Sequence, residues 1–458
     1  MTKSKTKAKD PADRLGLGRL LAWKSSDVAS GAVFVVVNSY LALYCTNYLG
    51  MDPAVVGMIL LVSNIIDAIT DLIACYVVDN AKITKWGKAR PYELGIIGVW
   101  VCTILMFCTP ESWNQTLKVI WIFFMYTFAF GVFNTFRAAS MNPYMIRAFN
   151  KNRKVIGKLA SFGGPITMVG SMIVSMSFPI LMGRIATSAA GWRSLILLYG
   201  VPMLLLCLPR FLFIKENPAV DAGIQYDKVS LKTILQMILK NKYVWFNAGT
   251  VFLFNVVTSL GVLSYYFTYV VGNTDLMGVF SAVSFMIIPL MLFMPLFLRR
   301  FSAPQIVMGA SAIAVVGYGI NFLAGANFGM LILGGILAAL ASLPISYLGG
   351  LIVMDICTYN EYLDLPRMDA STAIISNNFA SQIGQGVGGA LLGVLLSASG
   401  FISTTEGIVA QPESAVTMIR MLYSLIPMVL MIALVVCAIG LSSLNKKLDV
   451  IEGKTKEE

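Results

Sequence analysis

Asp67 and Asp71 stand one helical turn apart in "SNIIDAITDLIACYVV", residues 63–78, within an apolar run. Side chains at i and i+4 share a helix face, and here Asn64 shares it too, while Thr70 flanks the pair. Two carboxylates that close resist ionising together. Such a pair suits holding a proton, or a sodium ion in its place. The competing reading is structural: an ion pair with Arg137 or with loop lysines that locks helices together. Other ionisable residues inside apolar runs are Asp27 and Arg137, with Asp355 near the end of one. A charge at mid-helix in a bilayer costs about 2.5 to 3.5 kcal/mol on insertion scales, so such residues ordinarily face a wet interior and carry function.

The elements that must position these acids follow from composition. Of 458 residues, 57% are hydrophobic and 12% charged, too little polar surface for a water-soluble globule of this size. A spanning helix needs about 20 mostly apolar residues. About twelve such runs recur, near 25–47, 54–78, 92–110, 117–145, 155–183, 193–213, 244–271, 276–298, 305–324, 328–356, 371–400 and 417–442. They are continuous rather than alternating, which excludes a barrel. The chain reads as an all-α membrane protein. The opening "MTKSKTKAKDPADRLGLGRLLAWK" is basic and lacks the apolar core of a cleavable signal. If the N-terminus is cytoplasmic, 29 of the 34 lysines and arginines lie on that side, the asymmetry of the positive-inside rule. Both termini are then expected in the cytoplasm, in a multi-pass protein of the cell membrane. The net charge of +11 fits anionic inner-leaflet lipids and needs no nucleic acid.

Histidine is absent, which removes the commonest catalytic base and metal ligand. Seven cysteines show no CxxC pair and read as packing residues. No enzyme motif is present, and no cofactor is expected beyond a coupling ion. The longest polar break, 210–245, falls between six spans and six spans. Its "SLKTILQMILKN" spaces apolar residues as a surface-lying amphipathic helix does. The expected organisation is a six-helix half (1–213), a cytoplasmic linker (214–243), a second six-helix half (244–445) and a tail (446–458). That is the major-facilitator plan of two similar halves rocking about a central path.

The segment "DAITDLIACYVVDNAKITKWGKARP" resembles the second-helix signature of the glycoside-pentoside-hexuronide:cation symporters, the family that contains melibiose permease. "WKSSDVASG" is similar to that family's first-helix opening, "DICTYNEYLDLPRMDAS" to its acidic segment in the second half, and "QIGQGVGGALLG" to its eleventh helix. The resemblance covers essentially the whole chain. It implies that Asp67 and Asp71 coordinate the cation, H+ or Na+, with Thr70 where a polar ligand often stands. Asp27 falls on an acid that binds sugar hydroxyls, although "KSSD" is also a helix-capping sequence.

Departures from the pattern are as informative. A sugar-gripping acid of the fourth helix is Thr135 here, beside Asn134 and Arg137, and a lysine of the eleventh helix is Gln382. A hydroxyl near the cation site is Val132, which removes a possible sodium ligand and favours a proton. Arg137 offers a forked donor for a carboxylate or phosphate, which admits an acidic solute such as a uronide. The other reading of Arg137 is an ion pair with Asp27 or Asp67. Asn378, Gln382 and Gln385 form a polar stripe, suited to solute hydroxyls or to interhelical hydrogen bonds. Asp79, Lys85 and Arg90 on one side, and Glu361 and Arg367 on the other, are candidates for a cytoplasmic gate, or simply topology charges. The function expected is cation-coupled symport of a sugar-like small molecule by a monomer. The alternatives are a same-fold transporter of a lipid, drug or organic anion, and a non-transporting sensor.

Overall fold

The structure, a computed structural model, describes residues 16–150, 152–217, 239–284, 293–365 and 372–451, with single positions at 220, 236, 237, 289 and 290. Helix starts follow local chemistry. Asp52 caps α2 (Pro53–Asn80), its carboxylate accepting from the Ala54 N–H at 2.8 Å with Pro53 in the first turn, after α1 (Leu17–Asn47). Next come α3 (Gly95–Phe107) and α4 (Gln115–Tyr126), the latter capped by Asn114. A π-helical stretch, Thr127–Asn134, joins α4 to α5 (Thr135–Ala148) as one long span. The first half ends with α6 (Arg153–Ile185) and α7 (Ala189–Phe213).

The second half contains α8 (Lys242–Thr258), α9 (Asp275–Ser284), α10 (Ala303–Ala324), α11 (Phe328–Ala339), α12 (Ser342–Tyr362), α13 (Ala380–Ala398), α14 (Glu413–Tyr423) and α15 (Leu425–Ile451). Two further π-helical stretches, Phe267–Val271 and Ile374–Phe379, continue α8's span and precede α13. Among the described residues eleven helical stretches are long and apolar enough to span a bilayer. The eighth expected span, 276–298, is described in part, as α9 and a turn at Met294–Phe297. The apolar runs at 328–356 and 417–442 are each two helices, meeting at 340–341 and at Ser424. Apolar residues continue across both junctions, so hydropathy alone does not reveal the breaks. Of the expected amphipathic linker helix, 230–235 and 238 lie outside the described residues; Met237 is fully buried.

Within the first half α1 packs on α3, α6 and α7; within the second α8 packs on α13 and α15, and α10 on α11 and α15. The largest pairings that join the halves among the described residues are α2 with α13 and α6 with α9. Along the first the register is regular. Gly393 lies on the Pro53 carbonyl, Gly57 on Gly389 and Ala390, and Gly386 on Leu61 and Asn64. A Cβ at residue 393 would sit 2.1 Å from that carbonyl oxygen, so only glycine admits the contact. Small residues let helix backbones approach closely in a membrane, and one stripe of α13 supplies them.

The end of the bundle carrying the 48–52 turn and the 399–412 segment is closed by direct bonds between halves. The Thr404 and Gly407 N–H groups donate to the last carbonyls of α1, Thr46 and Asn47, at 2.9 and 3.0 Å. Thr46 meets Tyr265 at 3.0 Å, Asn47 donates to Tyr269 at 2.6 Å, and Ser397 donates to Asp52 at 3.1 Å. Beneath this closure lies a cavity of about 30 Å³ lined by Asn38, Asn64, Tyr126, Ser259 and Gln385. It has room for about two waters and none for a sugar.

Candidate functional site

The acids sit where the glycine stripe ends. Continuing the α2–α13 register past Gly386 brings Asp67 and Asp71 opposite Gln382, whose amide interacts with both carboxylates. Asp67 is 5% exposed and accepts a hydrogen bond from the Thr135 hydroxyl. Thr135 can reach it because it is the first residue after the π-helical stretch, a widened turn of the kind that recurs at functional sites. Gly131 of that stretch lies against the Asp67 backbone, and Thr127 is bonded to Ser63 at 2.9 Å. Asp71, one turn further along, is half-buried. Among the described residues neither acid has an ion-pair partner, so the static pairing with Arg137 or loop lysines is not formed.

Thr70 is turned back on its own helix, donating to the Ile66 and Asp67 carbonyls at 3.1 and 3.0 Å. Gln385 bonds Asn255 and Ser381 of its own half at 3.4 and 3.2 Å, the interhelical use of that stripe. Asn378 is exposed on the π-helical turn, and Asn377 beside it accepts from Asn247 at 2.7 Å.

Asp27 is engaged elsewhere. Lys24 pairs with it at 2.9 Å and the Arg210 guanidinium holds its other oxygen. Arg210 also meets Glu93 at 3.3 Å, donates to the Trp23 carbonyl and stacks over the Trp23 ring at 4.7 Å. Glu93 in turn accepts from Ser26. Sequence reading missed Arg210 and Glu93, counting Arg210 as a linker charge. Its setting, "LLLCLPRFLF", carries the signal: an arginine with apolar residues on both sides belongs to the span. Lys118 is buried with its ammonium on the Leu49 carbonyl at 3.1 Å. Arg137 is 6% exposed and donates to Ser30 at 2.8 Å and Asn134 at 3.4 Å, so neither expected ion pair exists.

The gate candidates divide. Arg90 is buried in the first half, donating to the Phe211 carbonyl at 2.9 Å and stacking on the Phe211 ring at 4.6 Å. The three N–H groups of Lys88, Ala89 and Arg90 converge on the Glu216 carboxylate. That nest ties the start of the linker to the "WGKARP" turn. Lys85 is exposed over the Trp86 ring, and Glu361 is exposed at the end of α12. The Asp79 side chain and Arg367 lie outside the described residues.

Helical spans crossing a bilayer, paired two by two across an interface that holds unpaired acids, define a multi-pass membrane transporter rather than an enzyme. The profile of the family described as MFS/sugar transport protein matches residues 23–442, and the chain belongs to that family. An isoprimeverose transporter of Lactiplantibacillus pentosus is 26% identical over 452 residues, covering 94% of this chain and 89% of its own. A putative sulfoquinovose importer of Escherichia coli (strain K12) is 24% identical, covering 95% and 92%. Among solved structures, a bacterial homologue of the human drug peptide transporters PepT1 and PepT2 superposes with a TM-score of 0.63 at 15% identity, over 96% of this chain and 99% of that one. That likeness shows the major-facilitator fold.

Proposed function

We propose that the protein imports a sugar-like solute together with a proton, as a monomer working by alternating access. The observation that carries the reading is the acid couple: Asp67 and Asp71 lie between the halves, without a countercharge among the described residues, facing an amide of the opposite half. A proton added there removes the cost of charge in a low-dielectric interface and lets the α2 and α13 surfaces part or close. A proton is favoured over sodium because few oxygens converge on the couple. The Thr70 hydroxyl is spent on its own helix, and the nearby span offers Val132 where a hydroxyl would have served. The names of the two relatives, both concerned with sugars, support the solute class.

The lysine and arginine asymmetry supports cytoplasmic termini, which makes the closed end the outer one. The halves in this reading are 1–213 and 244–445, joined by 214–243. Purified protein in liposomes tests the proposal: labelled glycosides accumulate against their gradient when the lumen is made alkaline, and do not when only a sodium gradient is imposed. Accumulation driven by sodium alone rejects the proton; equilibration without accumulation rejects coupled transport.

A further inference from the structure

A largely buried charge cluster lies within the first half. Its members are Lys24 and Asp27 of α1, Glu93 just before α3, Arg137 of α5 and Arg210 of α7. Three cations face two carboxylates, and the carboxylates are taken. Asp27 is shared by Lys24 and Arg210, and Glu93 by Arg210 and Ser26. Arg137 is left with neutral partners, Ser30 and Asn134, both on Nη2. Its Nε and Nη1 are shut from solvent and have no hydrogen-bond partner among the described residues. A guanidinium so placed is an incomplete site, because buried donors in native proteins are satisfied and a buried charge without a counterion is strongly disfavoured.

The free Nε and Nη1 are charged donors that an acid group's oxygens can satisfy. Access is through Asn134, which is half-exposed and 3.4 Å from Nη2. The position on the helix matters equally. Asn134 ends the π-helical stretch, Thr135 follows and bonds Asp67, and Arg137 lies two residues on. One short segment therefore touches the acid couple and holds the unmatched cation. We infer that Arg137, with Asn134 and Ser30, takes the carboxylate or sulfonate of an acidic solute, and that this residue sets a preference for acidic over neutral sugars. The inference rests on the proposed solute transport but concerns selectivity alone.

Matched pairs of methyl pyranosides test it, each pair differing only in carrying a C6 carboxylate or a C6 hydroxyl, with sodium sulfate as the ionic-strength control. Thermal stabilisation in detergent and inhibition of counterflow are read for full-length wild type, Arg137→Gln, Arg137→Lys and Asn134→Leu. The expected result is that an acidic member acts at concentrations at least 10-fold below its neutral partner on wild type. That preference falls to within about 2-fold in Arg137→Gln and is partly kept in Arg137→Lys, which retains charge without the fork. If Arg137→Gln does not fold, a reduced preference in Arg137→Lys and Asn134→Leu decides. Equal or better action by neutral members, an unchanged preference in the variants, or no stabilisation by any acidic member overturns the inference. Acidic preference with equilibration but no uphill accumulation would instead reject coupled transport and leave the selectivity standing. Uphill uptake of neutral glycosides, with no acidic member acting below its neutral partner on wild type, would do the reverse.

Discussion

Thr135 is where a residue-scale account is most exposed to test. Its hydroxyl donates to Asp67 and to nothing else outside its own span. Hydrogen bonds to charged groups are worth about 1.5 to 3 kcal/mol, so Thr135→Val is expected to reduce gradient-driven uptake by about 10-fold or more. Counterflow, which moves solute without net cation movement, should change far less; equal loss in both assays would make Thr135 a packing residue. A second prediction concerns Arg210, fully buried between Asp27 and Glu93. Removing one partner of a buried pair costs about 3 to 5 kcal/mol because the other charge is stranded. Arg210→Met should therefore lower the melting temperature in detergent markedly, and adding Glu93→Gln and Asp27→Asn should recover part of the loss. A melt unchanged by Arg210→Met would show that the cluster is not a structural lock. The acid couple was legible from letters alone, since two aspartates four apart in an apolar run have few innocuous uses. Glu93 was not, because it lies near a span end, where hydropathy cannot tell a buried charge from a loop charge; Arg210 was missed although the apolar residues on both sides of it place it in the span.

At the scale of elements, α2 and α13 meet through a stripe of small residues that ends at Gln382. Which helix the glycines of α13 receive was not readable in the sequence, because the partner lies some 330 positions away and only the fold brings it there. The stripe makes a prediction with its own control. Gly393→Val places bulk against the Pro53 carbonyl and Gly57, which should prevent closure of that end and cut uptake at least 10-fold with the protein still folded. Gly309→Ala in α10, where a Cβ meets nothing within 4 Å, should leave uptake unchanged. Similar activity in both variants would mean that the α2–α13 contact need not close during turnover. The π-helical stretches were also invisible to periodicity, since one inserted residue in a turn leaves the apolar pattern almost intact. Yet one of them aims Thr135 at Asp67.

For the whole molecule, composition gave the membrane and the helical class, because a bilayer admits few alternatives; of the roughly twelve spans expected, eleven are present among the described residues. The path itself was harder to see, since it depends on how the two halves face one another. Here the halves are joined at the end opposite the termini by backbone caps and side-chain hydrogen bonds, one of them from Ser397 to the Asp52 carboxylate, with a small cavity beneath. No charged pair bridges that end among the described residues; in the proposed reading, opening and closing are governed by the acid couple, several turns further along α2. Asp71, the more open member, is the position to change. In liposomes with an alkaline lumen, Asp71→Asn should lose at least nine-tenths of uphill solute accumulation while counterflow persists. Accumulation by Asp71→Asn equal to that of the unaltered protein would contradict the account.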